Sequence, residues 1–190
     1  VKAYGTVVKM EDKNKELASI NTKIASYTTT FENVGNRGHN IVLAASKLNG
    51  TVLMKDDEFS YLKVVGPYSA KNGYLPAPAY VNKVLSTANG GGVCQLATTL
   101  YNAQLRANLE IIYRINHSYA PAYVPKGVDA TVYSTTTDYK FKNQYNYPVY
   151  ITSYVVGGNL TVDIWSSDKT LGNKTYEPYS YFSNGGYVSY

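Results

Sequence analysis

Gly90-Gly91-Gly92-Val93-Cys94-Gln95 is the segment of this chain best equipped for chemistry. Glycine lets the backbone take positive φ and lets a second chain or a ligand approach closely. The apolar spacing that follows predicts that Cys94 stands in the first turn of a helix. Unpaired N–H groups and the positive end of the helix dipole gather there, and they favour the thiolate, the reactive form of a cysteine. The N–H groups of Cys94, Gln95 and Leu96 can also hold the oxyanion of a tetrahedral intermediate. One short segment thus offers both a nucleophile and an oxyanion hole.

A cysteine nucleophile needs a base, and the chain has two histidines. His117 lies 23 positions beyond Cys94, on a stretch that can return along the helix. His39 falls in the first turn of an earlier helix. Asp129, opening the next β-rich run, can orient the His117 ring as the third member of a triad. Each residue also has a plainer reading. A lone cysteine in apolar surroundings serves as a small buried hydrophobe, although such a residue does not require three glycines before it. His117 can be a hydrogen-bonded sheet histidine, His39 can cap or pair near Asn36, and Asp129 can belong to the turn after Gly127.

The elements that must position these groups are legible from periodicity. Ile41, Ala44, Ala45 and Leu48 recur at helical spacing between Asn36, a capping residue type, and the stop signal Asn49-Gly50, so a helix is expected over about 37–48. Leu96, Leu100, Ala103 and Ala107 form one face of a second helix over about 94–108. Ile24 to Phe31 is a β-branched run, and Tyr4–Val8 is strand-like. Residues 51–66 read as strand, turn, strand; Tyr68–Pro78 reads as loop, and Tyr80–Leu85 as an extended pair around Asn82-Lys83. Ile111–Tyr119 alternates, a Thr- and Tyr-rich run extends from Asp129 to Phe141, and Pro148–Val156 with Leu160–Trp165 across Gly157-Gly158-Asn159 is a hairpin signal. The expected class is α+β, with a mainly antiparallel β-sheet and two principal helices. The expected organisation is a lead-in at 1–23, a catalytic domain at 24–165 and a Tyr-rich tail or start of a further module at 166–190, which shows no readable period.

Composition narrows the function. One cysteine and two histidines cannot supply an internal disulfide or a four-ligand zinc site, so no metal is expected. No GxxxxGK[ST] segment occurs, the three glycines lack the spacing of a dinucleotide fingerprint, and no cofactor is expected. No apolar run approaches the roughly 18 residues that cross a bilayer. No signal segment follows Val1, as in a cytosolic chain or a mature ectodomain. A net charge of +5 fits an anionic partner, but the Tyr/Lys mixture at Tyr139–Lys142 has no RNP-type pattern, and no nucleic acid is expected. The 21 tyrosines suit wet, half-buried surfaces such as those that meet wall polymers.

Five segments, read together, carry a resemblance: Asn36-Arg37-Gly38-His39-Asn40-Ile41; Leu43 to Gly50; Gly90 to Gln95 with Thr98 to Ala103; Asn116-His117-Ser118; and Tyr123 to Thr131. In this order, across about residues 24–165, they resemble the VanW domain. The resemblance stops before Leu171. It implies an extracytoplasmic L,D-transpeptidase, at the cell wall or the outer face of the membrane in a tethered parent protein. Such an enzyme forms 3→3 peptidoglycan cross-links with the cysteine of the GGGVCQ motif, here Cys94, as nucleophile. The implied partners are peptidoglycan stem peptides, a donor tetrapeptide and an acceptor amine. Residues placed to contact them are Arg37, His39, Gly92, Gln95 and Tyr123, with Arg37 suited to a stem carboxylate or, alternatively, to a helix-end salt bridge. Two rival readings remain at this level: an L,D-carboxypeptidase or other cysteine peptidoglycan hydrolase, and a non-catalytic wall-binding module.

Overall fold

The computed structural model describes residues 2–3, 15–81, 84–133 and 136–189. Its largest sheet has five strands: β1 (Lys2–Ala3), β2 (Thr22–Thr30), β3 (Thr51–Leu53), β9 (Val149–Val156) and β10 (Asn159–Ser166). They lie in the order β1-β3-β9-β10-β2, and only the β1–β3 pair is parallel. The long β9–β10 hairpin is the spine. Leu160, Val162 and Ile164 alternate onto its inner face, fully buried, as a one-sided antiparallel strand requires.

Two helices cover that face. Helix α1 (Gly35–Leu48) buries Ile41, Ala44, Ala45 and Leu48, and helix α3 (Val93–Arg106) buries Leu96, Leu100 and Ala103. The alanines on both faces bring the two helices close to each other and to the sheet. Between them in sequence are β4 (Glu58–Ser60), the five-residue helix α2 (Tyr61–Val65), and the hairpin β5 (Pro76–Val81) with β6 (Val84–Asn89). β4 joins β7 (Glu110–Tyr113) and β8 (Lys140–Lys142) in a second antiparallel sheet ordered β4-β8-β7. Its Phe59 and Phe141 rings stack 4.6 Å apart, and Tyr139 packs edge-on to Tyr101 of α3. With a helical turn at 15–17, the described residues carry four helices and mostly antiparallel strands, an α+β architecture.

Several expectations need correction. Helix α1 is preceded by Val34 as its N-cap; Asn36 lies inside it and sends its side-chain amide to the Pro76 carbonyl. Helix α3 ends at Arg106, because Asn108 takes positive φ and turns the chain away from Ala107. The stretch 51–66 contains α2, whose start is fixed by the Ser60 hydroxyl accepting from the Lys63 N–H. Pairing from Ile111 stops at Tyr113 after a register shift, and within the run from Asp129 to Phe141 only residues 140–142 enter a sheet. The tail is not structureless. β11 (Ser180–Ser183) and β12 (Gly186–Ser189) form a hairpin around Asn184-Gly185, both at positive φ, as a two-residue turn of the I′ type needs. Tyr4–Val8 and Asn82-Lys83 lie outside the described residues.

Leu100 sits where α3 meets the sheet and is fully buried. Leu100→Ala is expected to cost about 2–5 kcal/mol of unfolding free energy. In urea titrations the midpoint should fall with an unchanged slope; a midpoint equal to that of the parent chain would refute this account of the core.

Candidate active site

Helix α3 is buried nearly all round, including its polar residues. Cys94, Thr98 and Asn102 recur every four residues and therefore form one stripe. An irregular segment, residues 128–132, runs along it. The Asn102 amide donates to the Val128 carbonyl at 2.7 Å. The Thr98 hydroxyl donates to the Ala130 carbonyl and accepts from the Ala130 N–H, both at 3.0 Å. The Cys94 sulfur stands 3.2 Å from the Val132 carbonyl, 3.5 Å from the Val132 nitrogen and 3.7 Å from the Thr131 hydroxyl. The helix thus supplies, through side chains, the partners that a neighbouring strand would otherwise give this backbone. Each such bond contributes about 1 kcal/mol net, and leaving a buried group unmade costs about 1–3 kcal/mol, so the segment is held in one register.

That register delivers Asp129. Its buried carboxylate accepts from the His117 backbone N–H and from His117 Nδ1, each at 2.6 Å. Arg114 locks the other side: its guanidinium donates to the Asp129 carbonyl at 2.7 Å and the Gly127 carbonyl at 2.8 Å, and lies 3.6 Å from the carboxylate. With Nδ1 taken, the second ring nitrogen of His117 is the one left for Cys94. Burial pushes the Cys94 thiol up, but the hydrogen bond and charge of His117, helped by Val132 and Thr131, outweigh it and hold the thiol below its ordinary value. Burial likewise lowers His117, and the bonds to Asp129 and Cys94 overcome it, raising the ring to about 9. Burial raises Asp129, yet His117 and Arg114 leave its carboxyl below the usual range. The three shifts run in the direction that favours a thiolate–imidazolium pair backed by a carboxylate, and Cys94 as a residue is partly buried.

The glycine run fits its surroundings on both sides. A Cβ on Gly91 would come within 2.6 Å of the Ala77 carbonyl oxygen on β5, and Gly92, at φ +110°, packs against Arg37 and Ile41 of α1. Arg37 donates to the Gln95 side-chain oxygen at 2.7 Å and has no carboxylate in ion-pair range among the described residues. Among the described residues, therefore, no helix-end salt bridge forms at Arg37. Gln95 is itself buried, its amide nitrogen donating to the Thr29 hydroxyl and the Thr30 carbonyl, so it holds Arg37 in place while tying α3 to β2. Tyr123 is close enough to Cys94, Arg37 and Asp129 to feel their charges, and burial is the main reason its phenol is raised. His39 is the exception among the sequence-derived candidates. It is exposed, its Nε2 pairs with the Gly73 carbonyl at 2.8 Å, and it does not join the Cys94 cluster.

At the start of α3 the Val93 N–H is engaged by the Gly90 carbonyl at 3.1 Å and the Gln95 N–H by the Gly92 carbonyl at 3.0 Å. Of the three N–H groups expected from sequence as oxyanion donors, that of Gln95 is thus engaged locally, and no such bond engages those of Cys94 and Leu96. Sequence reasoning also passed over Arg114, Thr98 and Asn102. The signal was present in the last two: polar residues at i+4 and i+8 from the cysteine on a helix otherwise made of apolar faces. Arg114 carried no comparable sign, because its partners are backbone carbonyls 13 and 15 residues away.

Residues 36–165 match the family profile described as VanW like protein. The chain is 40% identical over 154 residues to the uncharacterized protein YoaR of Bacillus subtilis (strain 168), an alignment covering 80% of this chain and 51% of that protein. It is 32% identical over 124 residues to the vancomycin B-type resistance protein VanW of Enterococcus faecalis (strain ATCC 700802 / V583), covering 62% of this chain and 45% of that protein. The chain spans about half the length of the curated relatives it matches. No solved structure matches. The profile runs from the residue before Arg37 through the whole Cys94–His117–Asp129 cluster to the end of the sheet that supports it, and the chain belongs to the VanW family.

Proposed function

We propose that this domain is a cysteine L,D-transpeptidase that cross-links peptidoglycan stem peptides at the outer face of the cell. Membership of the VanW family supports a peptidoglycan-related role at the coarse level, one relative being named for resistance to vancomycin. The observation that carries the finer reading is the Cys94–His117–Asp129 chain, in which a lowered thiol faces a raised imidazole held by a buried carboxylate. This is the arrangement of nucleophile, acid–base and orienting group used in acyl transfer.

The Cys94 thiolate attacks the carbonyl of the third residue of a donor tetrapeptide. A C–S bond forms and the carbonyl electron pair moves to oxygen. As the tetrahedral intermediate collapses, the bond to the terminal D-Ala nitrogen breaks and the His117 imidazolium protonates the departing amine. The side-chain amine of an acceptor stem then attacks the thioester, His117 takes its proton, and the C–S bond breaks to release the amide cross-link and the thiolate. Arg37, which has no carboxylate partner among the described residues and is held by the Gln95 side-chain oxygen, grips a stem carboxylate.

Incubation with a tetrapeptide muropeptide should give a cross-linked dimer by mass spectrometry, and Cys94→Ala should abolish it. Trimmed tripeptide without dimer would assign the domain to carboxypeptidases, and no product at all, with wall binding equal in Cys94→Ala and the parent, would leave a wall-binding role. Acylation of Cys94 should show a bell-shaped pH dependence. Its acid limb follows formation of the thiolate below the ordinary thiol value, and its alkaline limb lies near pH 9, where His117 loses the proton it donates. Asp129→Asn removes the charge that raises His117, so the alkaline limb should move to lower pH. An unmoved limb would show that Asp129 does not set the proton affinity of His117.

A further inference from the structure

The family profile ends at residue 165, yet the chain beyond it packs against the segment that carries Asp129. Ser180 and Tyr187 share one face of the β11–β12 hairpin, because Tyr187 pairs with Phe182, two residues on from Ser180. That face rests on Lys126-Gly127. The Ser180 hydroxyl donates to the Lys126 carbonyl, and the Lys126 ammonium stands 5.6 Å from the centre of the Tyr187 ring. A Cβ on Gly127 would lie 2.9 Å from Tyr187 Cβ and 3.1 Å from Ser180 Cβ, and φ there is +91°, so a glycine is required both for the backbone and for the docked hairpin. A second tether lies upstream: Glu177 pairs with Arg106 in the last turn of α3, whose guanidinium also donates to the Asn102 carbonyl at 3.1 Å. What the hairpin holds is otherwise loosely fixed. The turn Pro125–Val128 is closed by a bond of 3.5 Å from the Val128 N–H to the Pro125 carbonyl, long for a hydrogen bond. The Gly127 carbonyl is nevertheless one of two backbone acceptors that anchor the Arg114 guanidinium, the other being the Asp129 carbonyl. Arg114 in turn stands 3.6 Å from the carboxylate that orients His117. Gly127 therefore touches both the hairpin and Arg114.

We propose that the β11–β12 hairpin is a positioning element of the active site: docked on Lys126-Gly127, it holds the Gly127 carbonyl for Arg114 and so keeps Asp129 and His117 aligned on Cys94. The inference rests on the Cys94–His117–Asp129 reading and deepens it by extending the catalytic unit beyond the family profile. Ser180 and Tyr187 act through Gly127, Arg114 and Asp129, not on substrate.

Alkylation of Cys94 by iodoacetamide reads this alignment, because it follows the thiolate that His117 favours. In the full chain, Ser180→Leu combined with Tyr187→Ala removes the hydroxyl and the ring without changing any charge at neutral pH, so a shift cannot come from the field of a new charge. Chymotrypsin should then cut the hairpin faster than in the parent, while the far-UV circular dichroism of the helices is retained. The pH midpoint of alkylation should rise toward that of an ordinary thiol, about 8.5. Ser180→Ala, which removes one hydroxyl and disturbs the fold least, should move the midpoint in the same direction by less. A hairpin cut faster with the midpoint unmoved, a hairpin still protected in the double variant, or an unmoved midpoint in Ser180→Ala would each overturn the assignment. A parent midpoint equal to that of an ordinary thiol would overturn it together with the thiolate reading. A midpoint that rises in the variants while the parent gives no dimer from the muropeptide would sink the transpeptidase reading and leave the hairpin as a positioning element.

Discussion

The site depends on one contact: the polar stripe of helix α3 against the irregular segment 128–132. That segment belongs to neither sheet, so its buried N–H and C=O groups need partners from elsewhere. Thr98 satisfies both groups of Ala130, and Asn102 satisfies Val128. Because the stripe repeats every four residues, the third position is occupied by Cys94, and the sulfur meets Val132 and Thr131 by the same geometry that holds the backbone. Scaffold side chains and thiol are successive members of one helical row, so the sulfur is placed as firmly as the helix is packed.

Electrostatics is then layered on that scaffold. Asp129 is buried and would be a liability alone, since an unpaired buried carboxylate is expensive. It is answered by two bonds from His117 and by Arg114, whose own guanidinium stacks against Tyr101 with a 5.0 Å separation. The charge stored in this way is exported through the imidazole to the sulfur. Burial acts against the charged form of every member of the chain, and in each case the neighbouring opposite charge or hydrogen bond prevails. Such a pair needs a site that is dry enough to strengthen the interaction and open enough to admit a carbonyl. Cys94 is a partly buried residue at a glycine-lined helix start, where the glycines pack closely against β5 and α1.

Much of the fold could be read from periodic residues. The apolar faces of α1 and α3, the β9–β10 hairpin across Gly157-Gly158, and the placement of Cys94 in the first turn all follow local rules that the tertiary structure leaves intact. The misreadings cluster where tertiary partners override local preference. Ile111–Tyr119 alternates like a strand but pairs only through Tyr113, since beyond that point Asp129 captures the His117 N–H that a ladder would have used. The Ser60 cap turned an apparent strand into α2, and the Asn184-Gly185 turn organised a tail whose polarity hid its alternation.

For this protein, the amino-acid sequence by itself determined the class of fold, the identity of the nucleophile candidate and the short list of bases, because these rest on spacing and on scarcity: one thiol, two imidazoles, three consecutive glycines. Only the tertiary structure set His117 rather than His39 beside Cys94 and buried the Gln95 side-chain amide against β2. Those outcomes depend on which buried groups satisfy one another across 12 to more than 60 residues of chain. Hydrogen bonds of that kind are set by the packing of helices on sheets, and no local periodicity encodes them.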